Sequence, residues 1–125
     1  MGFLLSVCVH AAHISETRGM RIILLRLHRY FHTGFKKIFV DGGYKKGGIE
    51  WALLMFRWIV EVVKRSDTVR GFKILPKRWI VERTFGWFSN YRRLNRDVEH
   101  NPRTSENNLK FVMVQIMLKR IAQAP

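Results

Sequence analysis

Short apolar runs alternate along this chain with segments whose apolar residues recur at helical spacing, and that alternation restricts the fold more than any other feature. Residues 3–9 form a continuous apolar run of the kind found in a strand covered on both faces. Residues 17–31 carry Met20, Ile23, Leu24, Leu27 and Phe31 at helical spacing, with Arg18, Arg21, Arg26 and Arg29 on the other face. Residues 36–40 are another short strand, which Asp41-Gly42-Gly43 stops. Gly47 and Gly48 lead into a helix over 49–57, and the β-branched stretch 59–63 reads as a strand. A polar loop over 64–70 and a short strand over 72–75 follow. Residues 77–94 read as a helix that Pro76 helps to start. A polar connection over 95–103 leads to a last helix, with Thr104 or Ser105 as its cap and Glu106 at its positive end. That helix carries Leu109, Val112, Met113, Ile116, Met117 and Ile121, with Lys119 and Arg120 in its last turns. This order argues for an α/β layer fold, and 125 residues argue for one domain.

Charge narrows the partner. The chain carries 23 Lys and Arg against 9 Asp and Glu, a net +14. A folded domain this basic repels itself, so a polyanion is the expected partner, nucleic acid ahead of an anionic membrane. No stretch approaches the roughly 18 apolar residues of a spanning helix. With 47% hydrophobic residues the chain has enough apolar side chains for a core, which excludes the disordered class. The one cysteine, Cys8, reads as a buried small hydrophobe, and a lone thiol suits a reducing, cytoplasmic setting. Met1 to Ser6 fits a loose myristoylation pattern, and residues 3–12 could pass for a signal-peptide core. No positive charge precedes that run, so it is read as a core strand instead. A chain opening directly into a core strand is expected to have lost something upstream.

Two acidic positions stand out. Asp41 follows a buried strand and precedes two glycines. In open α/β sheets the carboxyl ends of strands are where ligands bind, and glycines allow a sharp turn and close approach. An ordinary Asp-Gly turn has the same local pattern. On the helix over 77–94, Ile80, Thr84, Phe85, Trp87, Phe88, Tyr91 and Leu94 share one broad, mostly apolar arc, with Glu82 opposite. Glu82 is the only carboxylate on that helix, near Arg78 and Arg93 on the same side. It could be half of an i, i+4 ion pair with Arg78, or a metal-binding carboxylate whose neighbouring arginines hold a phosphate backbone. The cluster Arg92-Arg93-Leu94-Asn95-Arg96 could contact phosphate or form a solvated helix end. Trp79, Trp87, Phe85, Phe88 and Tyr91 are expected in the core. His28 and His32 sit four apart, but no third ligand is spaced to complete a metal site. Phosphate-binding glycine loops, nucleophile elbows and zinc-protease motifs are absent from the sequence.

At these residues the chain resembles the transposases of bacterial insertion sequences, of the DDE class. The run from Pro76 through Arg78, Trp79, Glu82, Arg83, Thr84, Phe85, Gly86 and Trp87 to Phe88, continued by Tyr91-Arg92-Arg93-Leu94, resembles the family segment around its catalytic glutamate. Val40-Asp41-Gly42-Gly43-Tyr44 resembles the segment around the second catalytic aspartate. Residues 4–12 and 61–67 also have family counterparts, so the likeness covers nearly the whole chain. It implies an RNase H-like mixed sheet flanked by helices, here an N-terminally truncated, C-terminal portion spanning residues 1–125. It also implies Asp41 and Glu82 as two of three acidic ligands to two Mg²⁺ (or Mn²⁺) ions that cleave and join DNA phosphodiesters. Arg78, Arg83, Arg92, Arg93 and Arg96 are the corresponding DNA contacts.

The sequence departs from the family in several places. No acidic residue precedes Glu16, so nothing matches the family's first aspartate, and the usual N-terminal DNA-binding region has no counterpart. Leu75 stands where the family has a tyrosine, Ser89 where it has a late basic residue, and Val98 where an aromatic is common. The expectations are therefore a transposase catalytic domain completed by a homo-oligomeric partner or an upstream transposase fragment, or a DNA-binding remnant that does not cut. A third is a relic that does not fold alone.

Overall fold

A computed structural model describes residues 3–31, 35–44, 46–63, 78–96 and 98–124, without the side chain of Arg78. The elements are α1 (Glu16–Tyr30), β1 (Lys37–Val40), α2 (Lys46–Phe56), β2 (Ile59–Val62), α3 (Arg78–Ser89), a 3-10 turn (Arg92–Leu94) and α4 (Pro102–Ala122). They fall into two compact units. One is His10–Leu75, here the αβ unit. The other joins Met1–Val9 to Pro76–Pro125, here the helical unit. The expected loop over 64–70 and strand over 72–75 lie outside the described residues.

In the αβ unit the helical spacing places α1 almost where expected. Ser15 caps it, its hydroxyl accepting from the Arg18 N–H at 3.4 Å, so the helix opens at Glu16 rather than Thr17. Met20 and Leu24 are buried, with Ile23 and Leu27 packed beside them. The second helix opens earlier than expected and takes in both glycines. Gly48 is buried against α1, where a Cβ would stand 3.1 Å from the Thr17 Cγ2, so a larger residue there would require the Thr17 methyl to shift. α2 ends at Phe56. Arg57 then adopts φ 56°, a left-handed cap, and donates its N–H to the Leu53 carbonyl at 2.9 Å.

β1 and β2 pair in parallel, Lys37 opposite Ile59 and Val40 opposite Val62. Their connection through α2 is a βαβ unit. One face, with Ile38 and Val60, packs on the cluster of Met20, Leu24, Ala52 and Trp58. The opposite positions Lys37, Phe39, Ile59 and Glu61 are exposed. The α/β expectation therefore stands, whereas the described residues hold a two-stranded parallel sheet and not a mixed one.

The helical unit corrects the first expected strand. Residues 3–9 form no strand. Phe3 and Leu4 instead pack on the cluster of Phe88, Val112 and Met113, and the Val9 N–H donates to the Glu106 carboxylate at 3.0 Å. An apolar run is compatible with either arrangement, and here a side-chain acceptor stands in for a neighbouring strand. Cys8 is half-buried rather than enclosed.

The expected 77–94 helix also breaks. α3 ends at Ser89, whose hydroxyl donates to the Gly86 carbonyl at 2.7 Å, and the 3-10 turn follows. Nor is α4 capped at Thr104 or Ser105. The Asn101 side chain accepts from the Arg103 N–H at 2.9 Å, and Pro102 takes the first helical position. Leu109, Val112, Met113, Ile116 and Met117 face the core as expected, but Ile121 is 72% exposed.

Candidate active site

Asp41 leaves the carboxyl end of β1 and is exposed. Its Oδ1 accepts the Gly43 N–H at 3.1 Å, which closes the Asp-Gly-Gly turn and fixes the carboxylate's direction. A Cβ at Gly43 would strike the Glu16 carboxylate and stand 3.3 Å from the Asp41 Oδ1. Two carboxylates therefore converge beside this glycine. Tyr44, next in the chain, is half-buried. Burial pushes its phenol above the usual 10.0, and the charges of Asp41 and Glu16 push it further in the same direction.

Glu16 is a carboxylate that sequence reasoning did not place beside this turn. The available signal was the Ser15-Glu16 pair, a cap followed by an acidic first turn, which starts the helix one residue earlier.

Glu82 lies on α3 in the helical unit and is exposed. Whether Arg78 pairs with it lies outside the described residues. The other cations of this segment are each placed differently. The Arg83 guanidinium sits between the Trp79 and Trp87 rings, 4.7 and 4.9 Å from their centroids. Arg120 of α4 covers Trp87 at 4.2 Å and Phe3 at 5.3 Å. Spacings of four residues put Trp79, Arg83 and Trp87 on one helix face, and the delocalised cations stack on the indoles.

The aromatic core expected for α3 is thus only partly formed. Phe88 is buried, Trp87 and Tyr91 are half-buried, and Trp79 and Phe85 are 48% and 67% exposed. Arg93 donates through Nε to Glu99 at 2.9 Å, and Glu99 also accepts from Asn108 at 3.1 Å. That tie fastens the 3-10 turn to α4. Arg92 and Arg96 are exposed beside it.

The two acidic residues singled out from sequence therefore belong to separate units, Asp41 to the αβ unit and Glu82 to the helical unit. Among the described residues no three His, Cys, Asp or Glu gather to hold a metal ion. The donors at the Asp41 turn are hard carboxylate oxygens, which suit Mg²⁺ or Mn²⁺ rather than a softer metal. His28 packs on Phe56 and Trp58 at ring distances of 4.7 and 5.9 Å, so it is part of the αβ core, while His32 lies outside the described residues.

The family model described as transposase DDE domain matches residues 1–116. The chain belongs to that family, the transposases of DDE-class insertion sequences, and its process is DNA transposition. Domains of this kind generally use divalent metal ions. Comparison with curated proteins and with solved structures gives no match. Among the described residues no helix is long and apolar enough to cross a membrane.

Proposed function

We propose that the chain is the C-terminal portion of an RNase H-like transposase domain that binds DNA and contributes to cutting and joining it. The observation that carries this reading is the Asp41 carboxylate, exposed at the carboxyl end of a parallel strand and oriented by Gly43. Asp41 and Glu82 are the ligands this chain offers to a pair of Mg²⁺ or Mn²⁺ ions. When bound, such ions activate the attacking oxygen and neutralise charge on the leaving one.

In the first step water adds to phosphorus at the element's end. The bond from phosphorus to the 3′-oxygen breaks, leaving a 3′-hydroxyl and a 5′-phosphate. That hydroxyl then attacks a phosphodiester of target DNA, displacing its 3′-oxygen. Arg78, Arg83, Arg92, Arg93 and Arg96 hold the backbone. Arg83 does so from a fixed position, since its guanidinium is oriented by Trp79 and Trp87. The third acidic ligand comes from a second copy or from an upstream part of the transposase, working in the cytoplasm at the nucleoid.

Nicking of supercoiled plasmid tests this, run with Mg²⁺, Mn²⁺ and EDTA. Metal-dependent nicking that Asp41→Asn and Glu82→Gln each abolish supports the proposal. Nicking that both variants retain overturns the assignment of these residues. No nicking with salt-sensitive binding intact makes the chain a DNA-binding remnant.

A further inference from the structure

The basic residues so far assigned to DNA all lie on the helical unit, yet the αβ unit carries its own cationic face. At about 100° per residue, Arg18, Arg21, Leu25 and Arg29 fall within an arc of about 80° on α1. That arc is opposite Met20, Leu24 and Leu27, the side α1 packs into the core. All four residues are exposed, Leu25 to 49%. The face holds no carboxylate. The only acidic residue of α1 is Glu16, in the first turn, which turns to the Gly43 loop.

Among the described residues none of the three arginines is ion-paired. A solvated helix face ordinarily mixes signs and forms i, i+4 pairs, and this one does not. Arg21 lies over the Trp51 ring at 5.4 Å, so part of its rotamer entropy is already lost before any ligand arrives. From Arg18 to Arg29 the helix rises about 16 Å. That spans the axial rise of about five nucleotides of one strand. The apolar face of α1 is committed to the core, so the helix has no face to insert into lipid.

We infer that the Arg18, Arg21 and Arg29 face of α1 is a second, sequence-independent contact with the phosphate backbone of duplex DNA. The inference rests on the proposed DNA-handling function. Guanidinium forks bind phosphate oxygens and read no base, so this contact adds affinity without sequence preference. In a reaction that engages both element ends and target, such a surface suits the duplex that must be accepted whatever its sequence.

The test is the salt dependence of duplex binding by the full chain, measured by fluorescence anisotropy with two unrelated duplexes. Each phosphate neutralised contributes about 0.9 to the slope of log affinity against log salt. The triple change Arg18→Gln, Arg21→Gln, Arg29→Gln is expected to lower the slope by about 2–3, equally for both duplexes. The double change Arg18→Gln, Arg29→Gln leaves the Arg21–Trp51 contact in place and is expected to lower it by about 2. Circular dichroism checks that each variant is folded.

An unchanged slope in folded variants, with the unaltered chain binding normally, overturns the inference and leaves the function intact. Absence of salt-dependent binding by the unaltered chain overturns both. A loss confined to vesicles of anionic lipid, with duplex binding unaffected, assigns the face to a membrane and overturns the inference.

Discussion

The two units achieve order by different means. The αβ unit is organised around enclosed apolar groups. Trp58 is buried within 4.8 Å of the Phe56 ring and 5.5 Å of Phe35, and Gly48 lets α1 and α2 close on each other. Among the described residues the helical unit encloses Phe88, Val112 and Met113 and adds charged groups held against apolar, backbone or polar partners. Arg83 and Arg120 stack on tryptophan, Glu106 holds the Val9 N–H, and Glu99 joins Arg93 to Asn108. The difference bears on how each carboxylate is held. Asp41 is directed by backbone geometry at a strand end. Glu82 is directed by helix phase, on a helix whose outer face is ordered by cations.

If the contrast is sound, volume changes disturb the αβ unit and charge changes disturb the helical one. The largest effect is expected from Trp58→Ala, a loss of about 3–5 kcal/mol measured by urea unfolding. A loss below about 1 kcal/mol would mean that the aromatic cluster is not the centre of that unit. Next is Glu106→Ala. It removes the acceptor from a residue only 7% exposed and strands the Val9 N–H, at a cost of about 1–3 kcal/mol. Glu106→Gln keeps an acceptor oxygen and is expected to cost less. Equal losses in the two variants would show that the charge, and not the hydrogen bond, matters.

A smaller effect of opposite sign is expected at Arg57. Arg57→Gly removes the Cβ from a left-handed cap and should stabilise by about 1 kcal/mol, less the flexibility glycine adds to the unfolded chain. Destabilisation would mean that the Arg57 side chain contributes more than its backbone costs.

The finest probe is the phenol of Tyr44, followed by NMR of carbon-labelled tyrosine. Its folded value lies above 10.0, so its contribution to stability is complete below that pH and is lost as pH rises through the folded value. Asp41→Asn is expected to bring the titration part of the way back, because burial is the larger cause. A titration that does not move would place Asp41 elsewhere than beside Tyr44.

Much of this was readable from the sequence. α1 was legible from its helical spacing, β1 as a short apolar run stopped by Asp41-Gly42-Gly43, and β2 from its β-branched residues. Asp41 was singled out at a strand end followed by two glycines, a pattern that an ordinary Asp-Gly turn shares. Other features failed for identifiable reasons. Residues 3–9 carry the same apolar pattern whether they pair in a sheet or pack as irregular chain, and only the distant Glu106 decides. Asn101, Thr104 and Ser105 are all capable caps, and Pro102 settles the choice by its fixed φ. Arc counting on α3 put Phe85 on the core side and Trp79 was expected there as an aromatic, but both are exposed while Phe88 is buried. The Glu16 carboxylate could not be placed beside Gly43 without knowing how α1 meets the loop after β1.

The most direct test of the assignment is Mn²⁺ uptake by the full chain, followed by electron paramagnetic resonance of the free ion. The expected result is uptake that Asp41→Asn and Glu82→Gln each weaken by at least tenfold, with both variants folded. Uptake that neither substitution changes would contradict the proposal that these two carboxylates hold the metal.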